Sequence, residues 1–432
     1  MASRWRAAVA AATLLTVALG GCTSGGTTAN NAGKNDGTVE LTMLTFETPN
    51  LPAALWDSAI ERVSARVPGV KIKKLVTPNV DRTTYAKQLA SSGQLPDIML
   101  AVNPQGFAEG GQLADFTKEE LAGFASPEAG AIKGKIYQLP TNAQPQSLLY
   151  YNKADFAKAG ITAPPKTWTD FLAACAKLKA AGTTPIAVGG GGQDTFAAMY
   201  PWVGTVGTDV YLEDPKFSAG IADGSKTFAD AAFVKATAKI AELAKLGYLD
   251  KQGTSRSYAD HEKAFRGGSA AMYPMGSWFA TSADNDKPPF EVGVFAWPSD
   301  DGRAVVPTLT GGGLSVSAQA ENVDLAKKFA LEWTKDKETS DAFTRADGTF
   351  NTVSGYQPPA DMGPLFKATL ALYNQAVKDG TVTPALSIEQ GDNGLPADLT
   401  VPTQQLAVEL LNGKSDAQGV AAKLDKEYAA LK

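Results

Sequence analysis

The sequence predicts an α/β fold made of two units joined by several crossings of the chain, and three observations lead to this prediction. The chain has 432 residues, about two to three times the usual length of a single domain. Hydrophobic residues make up 44% of it and charged residues 20%, which is typical of soluble globular proteins. Segments with strand-like and helix-like patterns alternate, which indicates a largely parallel sheet covered by helices.

The first half of the chain carries this alternation most clearly. Its first strand is indicated by alternating strand-forming residues, and its first helix by Leu55, Ala59 and Val63 at four-residue spacing. The predicted elements are a strand from Val39 to Phe46, a helix from Pro52 to Val67, a strand from Val70 to Val76, a helix from Asp81 to Ser91 and a short buried strand from Asp97 to Val102.

The pattern begins again in the second half. Thr167 can cap a helix that extends to Gly182, because Asp170 follows at the position of the reciprocal capping partner. The later predicted elements are a strand from Pro185 to Val188, a helix from Val323 to Trp333 and a last helix after Ser415. Because no long linker divides the chain, we expect the two units to share several crossings.

The N-terminus has the pattern of an export signal. Two arginines precede thirteen largely apolar residues, Ala7 to Leu19, a stretch too short for a membrane-spanning helix, which needs about 20 residues, but suited to a secretory signal peptide. Leu19-Gly20-Gly21-Cys22 resembles a bacterial lipobox, so we expect residues 1–21 to be removed and Cys22 to carry lipid that anchors the protein to a membrane. Residues 22–37 then form a flexible tether. The alternative is an ordinary signal peptide with a chance cysteine.

Charge and residue counts exclude several classes of function. The 40 Lys and Arg residues against 45 Asp and Glu residues make nucleic acid an improbable partner. One histidine and two cysteines cannot build a His-rich metal site or a four-cysteine zinc site. A hydrolase with a histidine base would have to use His261, which we expect instead on a solvated helix surface. Cys175 is expected to be a packed core thiol.

Six short motifs occur in a recognisable order along the chain. They are Ser92 to Ile98 (SGQLPDI), Gly111 to Phe116 (GQLADF), Gly134 to Pro140 (GKIYQLP), Leu149 to Lys153 (LYYNK), Pro165 to Phe171 (PKTWTDF) and Phe265 to Trp278 (FRGGSAAMYPMGSW). In order and spacing they resemble the extracellular solute-binding proteins of ABC importers, in the carbohydrate-binding group that includes maltose-binding proteins. The resemblance covers nearly all of the mature chain.

The resemblance implies a two-lobed periplasmic-binding-protein type II fold, with the ligand cleft between the lobes and several hinge crossings. It implies that the lobes close around a sugar and that the closed form docks on a membrane permease. We expect a monomer without a cofactor or a metal. The expected boundaries are 38–144 plus 305–348 for the N-lobe and 145–304 plus 349–432 for the C-lobe.

Candidate ligand-binding residues come from the loops that follow strands, where ligands collect in α/β proteins, and from the family motifs. A neutral sugar needs flat aromatic faces together with carboxylates and amides for its hydroxyls. The candidates are Trp278, Glu47, Asn103, Phe196, Asp194, Trp202, Gln144, Gly312 and Gly313. Trp278 ends the motif in which relatives stack a sugar ring. Amides, Gln144 and Gln146, stand where the family often places an acid, which argues against a strict maltose assignment.

Purely structural roles remain open for these residues. Trp278, Phe196 and Trp202 could be core residues, and Glu47 could be a solvated loop carboxylate. Gly311 to Gly313 lacks a phosphate-loop pattern and could be a plain loop. Two other functions also remain open: a secreted carbohydrate-active enzyme with paired carboxylates, and a sugar-sensing lipoprotein that signals to a membrane kinase.

Overall fold

The structure, a computed structural model, describes residues 37–78, 81–192, 195–386, 388 and 390–431. The predicted signal peptide, Cys22, the tether up to residue 36 and Asp194 lie outside the described residues. Within them, no helix is long and apolar enough to cross a membrane.

The strands lie in three sheets. They are β1 (Val39–Thr45), β2 (Val70–Val76), β3 (Ile98–Leu100), β4 (Leu113–Ala114), β5 (Asn142–Pro145), β6 (Leu148–Asn152), β7 (Met272–Met275), β8 (Val292–Phe295), β9 (Trp297–Pro298), β10 (Ala304–Gly311), β11 (Leu314–Ser317), β12 (Phe350–Asn351) and β13 (Val382–Thr383). The sheet orders are β2-β1-β3-β11-β4, β12-β5-β10-β13 with β9 beside β10, and β7-β6-β8.

Helices cover the sheets and form most of the remaining regular structure. They are α1 (Ala53–Arg66), α2 (Arg82–Ser91), α3 (Gln105–Glu109), α4 (Lys118–Leu121), α5 (Lys153–Lys158), α6 (Trp168–Ala180), α7 (Tyr200–Val206), α8 (Phe217–Asp223), α9 (Ala231–Lys245), α10 (Tyr258–Arg266), α11 (Trp278–Asn285), α12 (Val323–Lys335), α13 (Lys337–Asp347), α14 (Pro364–Asp379), α15 (Thr400–Leu411) and α16 (Ala417–Ala430).

The α/β alternation is confirmed, and the prediction of a largely parallel sheet is correct only in the first sheet. There β1 is parallel to β2 and β3, whereas β11 returns much later in the chain and lies antiparallel between β3 and β4. The sheet β7-β6-β8 is antiparallel throughout. The predicted strand from Pro185 to Val188 is reduced to parallel bridges of Ile186 with Leu249 and Met272. The glycine-rich run from Gly189 to Gly192 follows directly, and glycine in a strand weakens it.

The helix predicted after Thr167 is confirmed as α6, together with its capping box. The Asp170 backbone N–H donates to Thr167 Oγ1 at 3.1 Å, and the Thr167 backbone N–H donates to the Asp170 carboxylate at 3.3 Å. These two bonds satisfy backbone donors that no helical carbonyl can reach. Cys175 on this helix is 0% exposed, as expected for a core thiol.

The buried clusters divide the molecule into two lobes. Clusters of the first lobe draw their buried residues from 41–139 and 314–333, and those of the second lobe from 143–306 and 350–424. Val306, which the expected boundaries assign to the N-lobe, packs in a second-lobe cluster with Phe350 and Phe366. The chain thus crosses between the lobes within and just after β10. The other expected boundaries stay a prediction.

His261 corrects one expectation from the sequence. It is 1% exposed rather than solvated, and its imidazole lies 4.7 Å from the Tyr273 ring, centroid to centroid. Burial, with a smaller contribution from the charge of Arg256, lowers its pKa to about 3. The ring is therefore neutral at ordinary pH and packs like an aromatic core residue, because neutral imidazole costs less to bury than its cation.

Candidate functional site

Four aromatic side chains of the second lobe form a connected surface, here called the aromatic wall. Phe196 begins a short 3₁₀ turn, Tyr200 begins α7, Tyr258 begins α10 and Trp278 begins α11. The Phe196 ring lies 5.1 Å from Tyr258 and 5.9 Å from Tyr200, and Tyr200 lies 5.7 Å from Trp278, between ring centroids. Phe196, Tyr258 and Trp278 are half-buried. The wall thus brings together two predicted site residues, Trp278 and Phe196.

Trp278 is held in place by a hydrogen bond and by a glycine. Its indole Nε1–H donates to the Tyr258 hydroxyl at 3.0 Å. The indole also covers Gly276 so closely that a Cβ at that position would lie 2.0 Å from the ring. Since real Cβ atoms do not approach that near, only glycine permits this orientation.

A second group of side chains gathers around Asp347, the last residue of α13, and is here called the polar cluster. Its members are Asn50, Arg82, Gln144 and Asp347. The residue Asp347 is half-buried, with its carboxyl group in the buried part. Burial raises the pKa of this carboxyl to about 7, against the opposing effects of hydrogen bonds from Asn50 and Gln144 and the charge of Arg82. A substantial fraction of the protein therefore carries a protonated Asp347 near neutral pH.

The polar cluster lies next to the aromatic wall. Gly348, which follows Asp347, has a φ of +60°, and a Cβ there would lie 2.8 Å from the Ser277 carbonyl oxygen and 3.3 Å from the Trp278 Cα. The turn after α13 is thus pressed against the first turn of α11. Burial raises the pKa of Tyr258 well above its usual value, with further contributions from the charges of Glu262 and Asp347.

The first lobe supplies Arg82 and Asn50 to this cluster. Arg82 begins α2, and its guanidinium carbon lies 4.0 Å from the centroid of the Phe46 ring, a cation–π contact that orients the side chain. The Phe46 ring packs in turn against Trp56 at 5.3 Å. Phe46 was predicted as the end of the first strand, but β1 ends at Thr45. Phe46 therefore begins the loop after β1 and shapes the cluster through Arg82.

Two other first-lobe candidates have local partners. Glu47 is exposed, and its carboxylate lies 3.6 Å from the Lys74 Nζ. The Asn103 Oδ1 accepts the backbone N–H of Gln105 at 3.0 Å, which satisfies a donor at the start of α3. The structure does not bring either side chain into the aromatic wall or the polar cluster.

The amides and glycines at the lobe crossings have mixed roles. Gln144 joins the polar cluster, whereas Gln146 is buried and donates from Nε2 to the Gln144 side-chain oxygen at 3.2 Å. Gly312 has a φ of +67° and donates its N–H to the Gln138 side chain at 3.0 Å. A Cβ on Gly313 would lie 2.1 Å from the Leu139 carbonyl oxygen. Both glycines thus bring this crossing close to residues of the first lobe.

The structure corrects the assignment of Trp202. This side chain is 0% exposed, its Nε1–H donates to Thr237 Oγ1 at 3.0 Å, and its ring packs 5.7 Å from Phe233. Trp202 belongs to the second-lobe core because α7 turns it toward α9, away from Phe196. Asp194 lies outside the described residues.

Sequence reasoning missed several residues of the site. Tyr258 and Tyr200 lie in no motif. A signal for Tyr258 was its place directly after Ser257, the helix-capping residue whose hydroxyl accepts the Asp260 N–H at 3.3 Å. Asp347 stands before Gly348, a pattern typical of a helix end, which gave no sign of a buried carboxyl. Among the described residues, no group of His, Cys, Asp and Glu side chains is arranged to hold a metal ion.

The combined surface can bind a neutral polyhydroxyl compound. Aromatic faces can cover the apolar C–H side of a sugar ring, while the carboxyl, amide and guanidinium groups of the polar cluster can accept or donate hydrogen bonds to hydroxyls. The two surfaces come from different lobes and from the crossings between them.

Comparison with known proteins gives one family. The family model described as bacterial extracellular solute-binding protein matches residues 48–340. The chain is 26% identical over 312 residues to the multiple sugar-binding protein of Streptococcus mutans serotype c, a match that covers 67% of this chain and 69% of the relative.

Solved structures agree on the fold. A chitin oligosaccharide binding protein superposes with a TM-score of 0.76 at 26% identity, over 91% of this chain and 98% of the other. The maltose-bound MalE3 of T. maritima superposes with a TM-score of 0.71 at 18% identity, over 91% and 100% of the two chains. The predicted two-lobed α/β fold is confirmed.

Proposed function

This chain belongs to the family of bacterial extracellular solute-binding proteins, and on that premise we propose that it captures a mono- or oligosaccharide in the cleft between its lobes. The observation that carries the proposal is the aromatic wall beside the polar cluster, one surface for a sugar face and one for its hydroxyls. Two proteins to which this chain is similar, the multiple sugar-binding protein and the chitin oligosaccharide binding protein, support the same ligand class.

Closure of the lobes would complete the site. Arg82 and Asn50 belong to the first lobe, whereas Tyr258 and Trp278 belong to the second. A sugar that contacts both sets binds the closed form more tightly and shifts the open–closed equilibrium by that difference in affinity. The closed form then delivers its sugar to the permease of an ABC importer, as the family resemblance implies.

The proposal includes a location outside the cytoplasm. We expect the mature protein to be a monomer held at the bacterial cell membrane by lipid on Cys22, with the tether leaving the lobes free to reach a permease. Mass spectrometry of the membrane-extracted protein tests this point. An N-terminal peptide that begins at an acylated Cys22 supports it, and a chain cleaved elsewhere contradicts it.

We propose binding rather than catalysis as the function of the cleft. The test is to mix residues 23–432 with a panel of mono- to tetrasaccharides, to follow Trp fluorescence or heat of binding, and then to analyse the sugar. Saturable binding with the sugar recovered intact supports a binding protein. New reducing ends that disappear when an acidic residue is mutated would instead identify a carbohydrate-active enzyme.

The alternative of a sugar-sensing lipoprotein shares this cleft and differs in its partner. Deletion of the gene separates the two roles. Loss of uptake of the bound sugar supports delivery to an importer, whereas normal uptake with a lost transcriptional response supports sensing.

A further inference from the structure

Two helices that begin in the aromatic wall are joined by polar contacts at each turn. Tyr258 begins α10 and Trp278 begins α11, and polar residues follow each of them at intervals of four. Positions four apart lie on the same face of a helix, so the two faces meet in register. The facing positions, here called the interhelix ladder, are Tyr258 with Trp278, Glu262 with Ser282, and Arg266 with Asp286.

Hydrogen bonds connect the ladder from the indole to the far end of α10. The Trp278 Nε1–H donates to the Tyr258 hydroxyl at 3.0 Å, and that hydroxyl donates to Glu262 Oε2 at 3.3 Å. The other carboxylate oxygen, Glu262 Oε1, accepts the Ser282 hydroxyl at 2.9 Å and the Arg266 Nε–H at 2.9 Å. Glu262 is therefore the residue through which the wall is joined to the rest of the ladder.

Arg266 fixes the carboxylate of Glu262 against the core. Its guanidinium carbon lies 5.3 Å from the centroid of the Phe279 ring, which is 0% exposed. Its Nη2–H donates to the Ser282 hydroxyl at 2.7 Å, and its Nη1–H donates to the Asp286 carbonyl oxygen. The side chains of Glu262 and Arg266 are 15% and 16% exposed, so solvent screens this pair less than an exposed one.

The direction of the hydrogen bonds depends on the carboxylate. A carboxylate only accepts hydrogen bonds, so Glu262 can face the donors of Arg266 on one oxygen and the Tyr258 proton on the other. With its proton directed to Glu262, the Tyr258 oxygen has a lone pair for the indole N–H of Trp278. An amide at position 262 would place a donor against either Arg266 or Tyr258.

We propose that Glu262 is a positioning residue for the sugar-binding face of Trp278, on which it acts through the Tyr258 hydroxyl. This inference rests on the proposed sugar-binding function, because it concerns the face that the aromatic wall offers to a sugar. Glu262 lies one helical turn beyond Tyr258, so its effect on a ligand passes through the rings. An indole that is oriented before binding loses less freedom when the sugar arrives, and this raises the affinity.

The first test observes Trp278 in the free protein and requires no sugar. Nitrogen-15 labelling of the tryptophans gives an indole resonance for each of them, and Trp278→Phe identifies the one from Trp278. Glu262→Gln, which is nearly isosteric, should shift this resonance and speed the exchange of its Nε1–H with water about three- to tenfold, the range for one hydrogen bond. The matched control is Glu120→Gln, which alters a partly buried pair with Lys327 in the first lobe and should leave the resonance unchanged.

The second test measures the affinity for the best neutral sugar of the panel by calorimetry. Glu262→Gln should weaken binding about three- to tenfold, Ser282→Ala should weaken it less, and Glu120→Gln should match the wild type. In a protein that already carries Trp278→Ala, Glu262→Gln should change the affinity by less than about twofold, because a residue that acts through the indole then has nothing to position. Thermal unfolding verifies that each variant is folded at the temperature of the titration.

Two results would overturn the inference. One is a Trp278 resonance and exchange rate that Glu262→Gln leaves as they are in the wild type, which would reduce Glu262 to a packing role. The other is an equal loss of affinity from Glu262→Gln with and without the indole, which would mean that Glu262 acts by another route. If the wild type binds no sugar of the panel, the proposed function fails instead, and the first test still decides whether Glu262 positions Trp278.

Discussion

The two sides of the candidate cleft differ in how their side chains are held. The aromatic wall of the second lobe is a self-supporting set of rings, in which Trp278 is positioned by Tyr258 and by the absence of a Cβ at Gly276. On the first lobe, Glu47 lies near Lys74 and Asn103 accepts the Gln105 N–H beside the start of α3, so these polar side chains have partners in their own lobe.

This difference indicates that the second-lobe side of the cleft is preorganised for a ligand before the lobes close. A rigid aromatic face loses little conformational freedom on binding, so most of its contact energy is available as affinity. First-lobe polar groups reach the site chiefly through the polar cluster around Asp347. We therefore expect substitutions in the aromatic wall to affect affinity more than substitutions of Glu47 or Asn103.

The largest expected effect concerns the buried His261, which lies one turn after Tyr258 on α10 and packs against Tyr273. His261 has a pKa of about 3 in the folded protein, against a usual value of about 6.5 in the unfolded chain. As the pH falls below 6.5 the unfolded chain takes up a proton that the folded chain refuses, so stability is lost as the pH falls. At pH 4.5 the loss from this residue should be about 2–3 kcal/mol, from about 1.4 kcal/mol per pH unit.

His261→Phe tests this expectation, because phenylalanine keeps a ring against Tyr273 but cannot be protonated. Thermal unfolding at pH 7.5 and pH 4.5 should show a smaller acid-induced loss of the unfolding free energy in the variant than in the wild type. Equal losses in both proteins would mean that the His261 imidazole is hydrated and not truly buried.

The next effect concerns the wall itself. Trp278→Ala removes the only indole of the wall and should weaken sugar binding by about 1–3 kcal/mol, by analogy with the stacking of nucleic-acid bases on aromatic side chains. Trp278→Phe is the matched control and should retain part of the affinity. A dissociation constant unchanged by Trp278→Ala, measured by calorimetry with the best ligand, would remove this residue from the site.

A smaller effect is expected from the hydrogen bond that positions the indole. Tyr258→Phe deletes the hydroxyl that accepts the Trp278 N–H while keeping the ring. A neutral hydrogen bond contributes about 1 kcal/mol, so the affinity should fall about fivefold, and the Trp fluorescence of the free protein should change as well. An unchanged affinity would show that the indole keeps its orientation without this bond.

The smallest effect is expected on the first-lobe side of the cleft, at Glu47. Glu47→Gln removes a 3.6 Å ion pair with Lys74, which keeps its closer partner Asp57 at 2.6 Å. Such a pair near the surface is worth about 0–1 kcal/mol, so the affinity for sugar should change by less than about twofold. A loss as large as that of Trp278→Ala would show that the first-lobe loop contacts the ligand directly, and the contrast between the two sides would disappear.

Local sequence signals predicted much of the fold. The strand β1, the helix α6 with its capping box and the late helix α12 were all accessible, because hydrophobic spacing and capping residues act over a few positions. The antiparallel return of β11 between β3 and β4 was not accessible, since strand order depends on contacts between residues far apart in the chain.

The sequence led to some residues of the candidate site, whose part in ligand binding stays a prediction. Trp278, Phe196 and Gln144 were found through motifs and loop positions, and they do lie in the aromatic wall and polar cluster. Trp202 was assigned to the ligand-binding site because it follows Phe196 closely in the chain. A tryptophan on the next helix can face either the cleft or the core, and local sequence does not tell which. Asp347 and His261 were missed because burial of a charged or polar side chain is decided by distant segments, which local composition does not reveal.

The buried thiol of Cys175 has a practical consequence for following lobe motion. It is the free cysteine of the described residues, it is 0% exposed, and burial raises its pKa far above the usual value, so it offers no thiolate to alkylating dyes. In a chain that begins after Cys22, the exposed substitutions Ser92→Cys and Lys251→Cys would place one fluorophore on each lobe without a background label. Energy transfer between them would turn opening and closing into a distance read from single molecules.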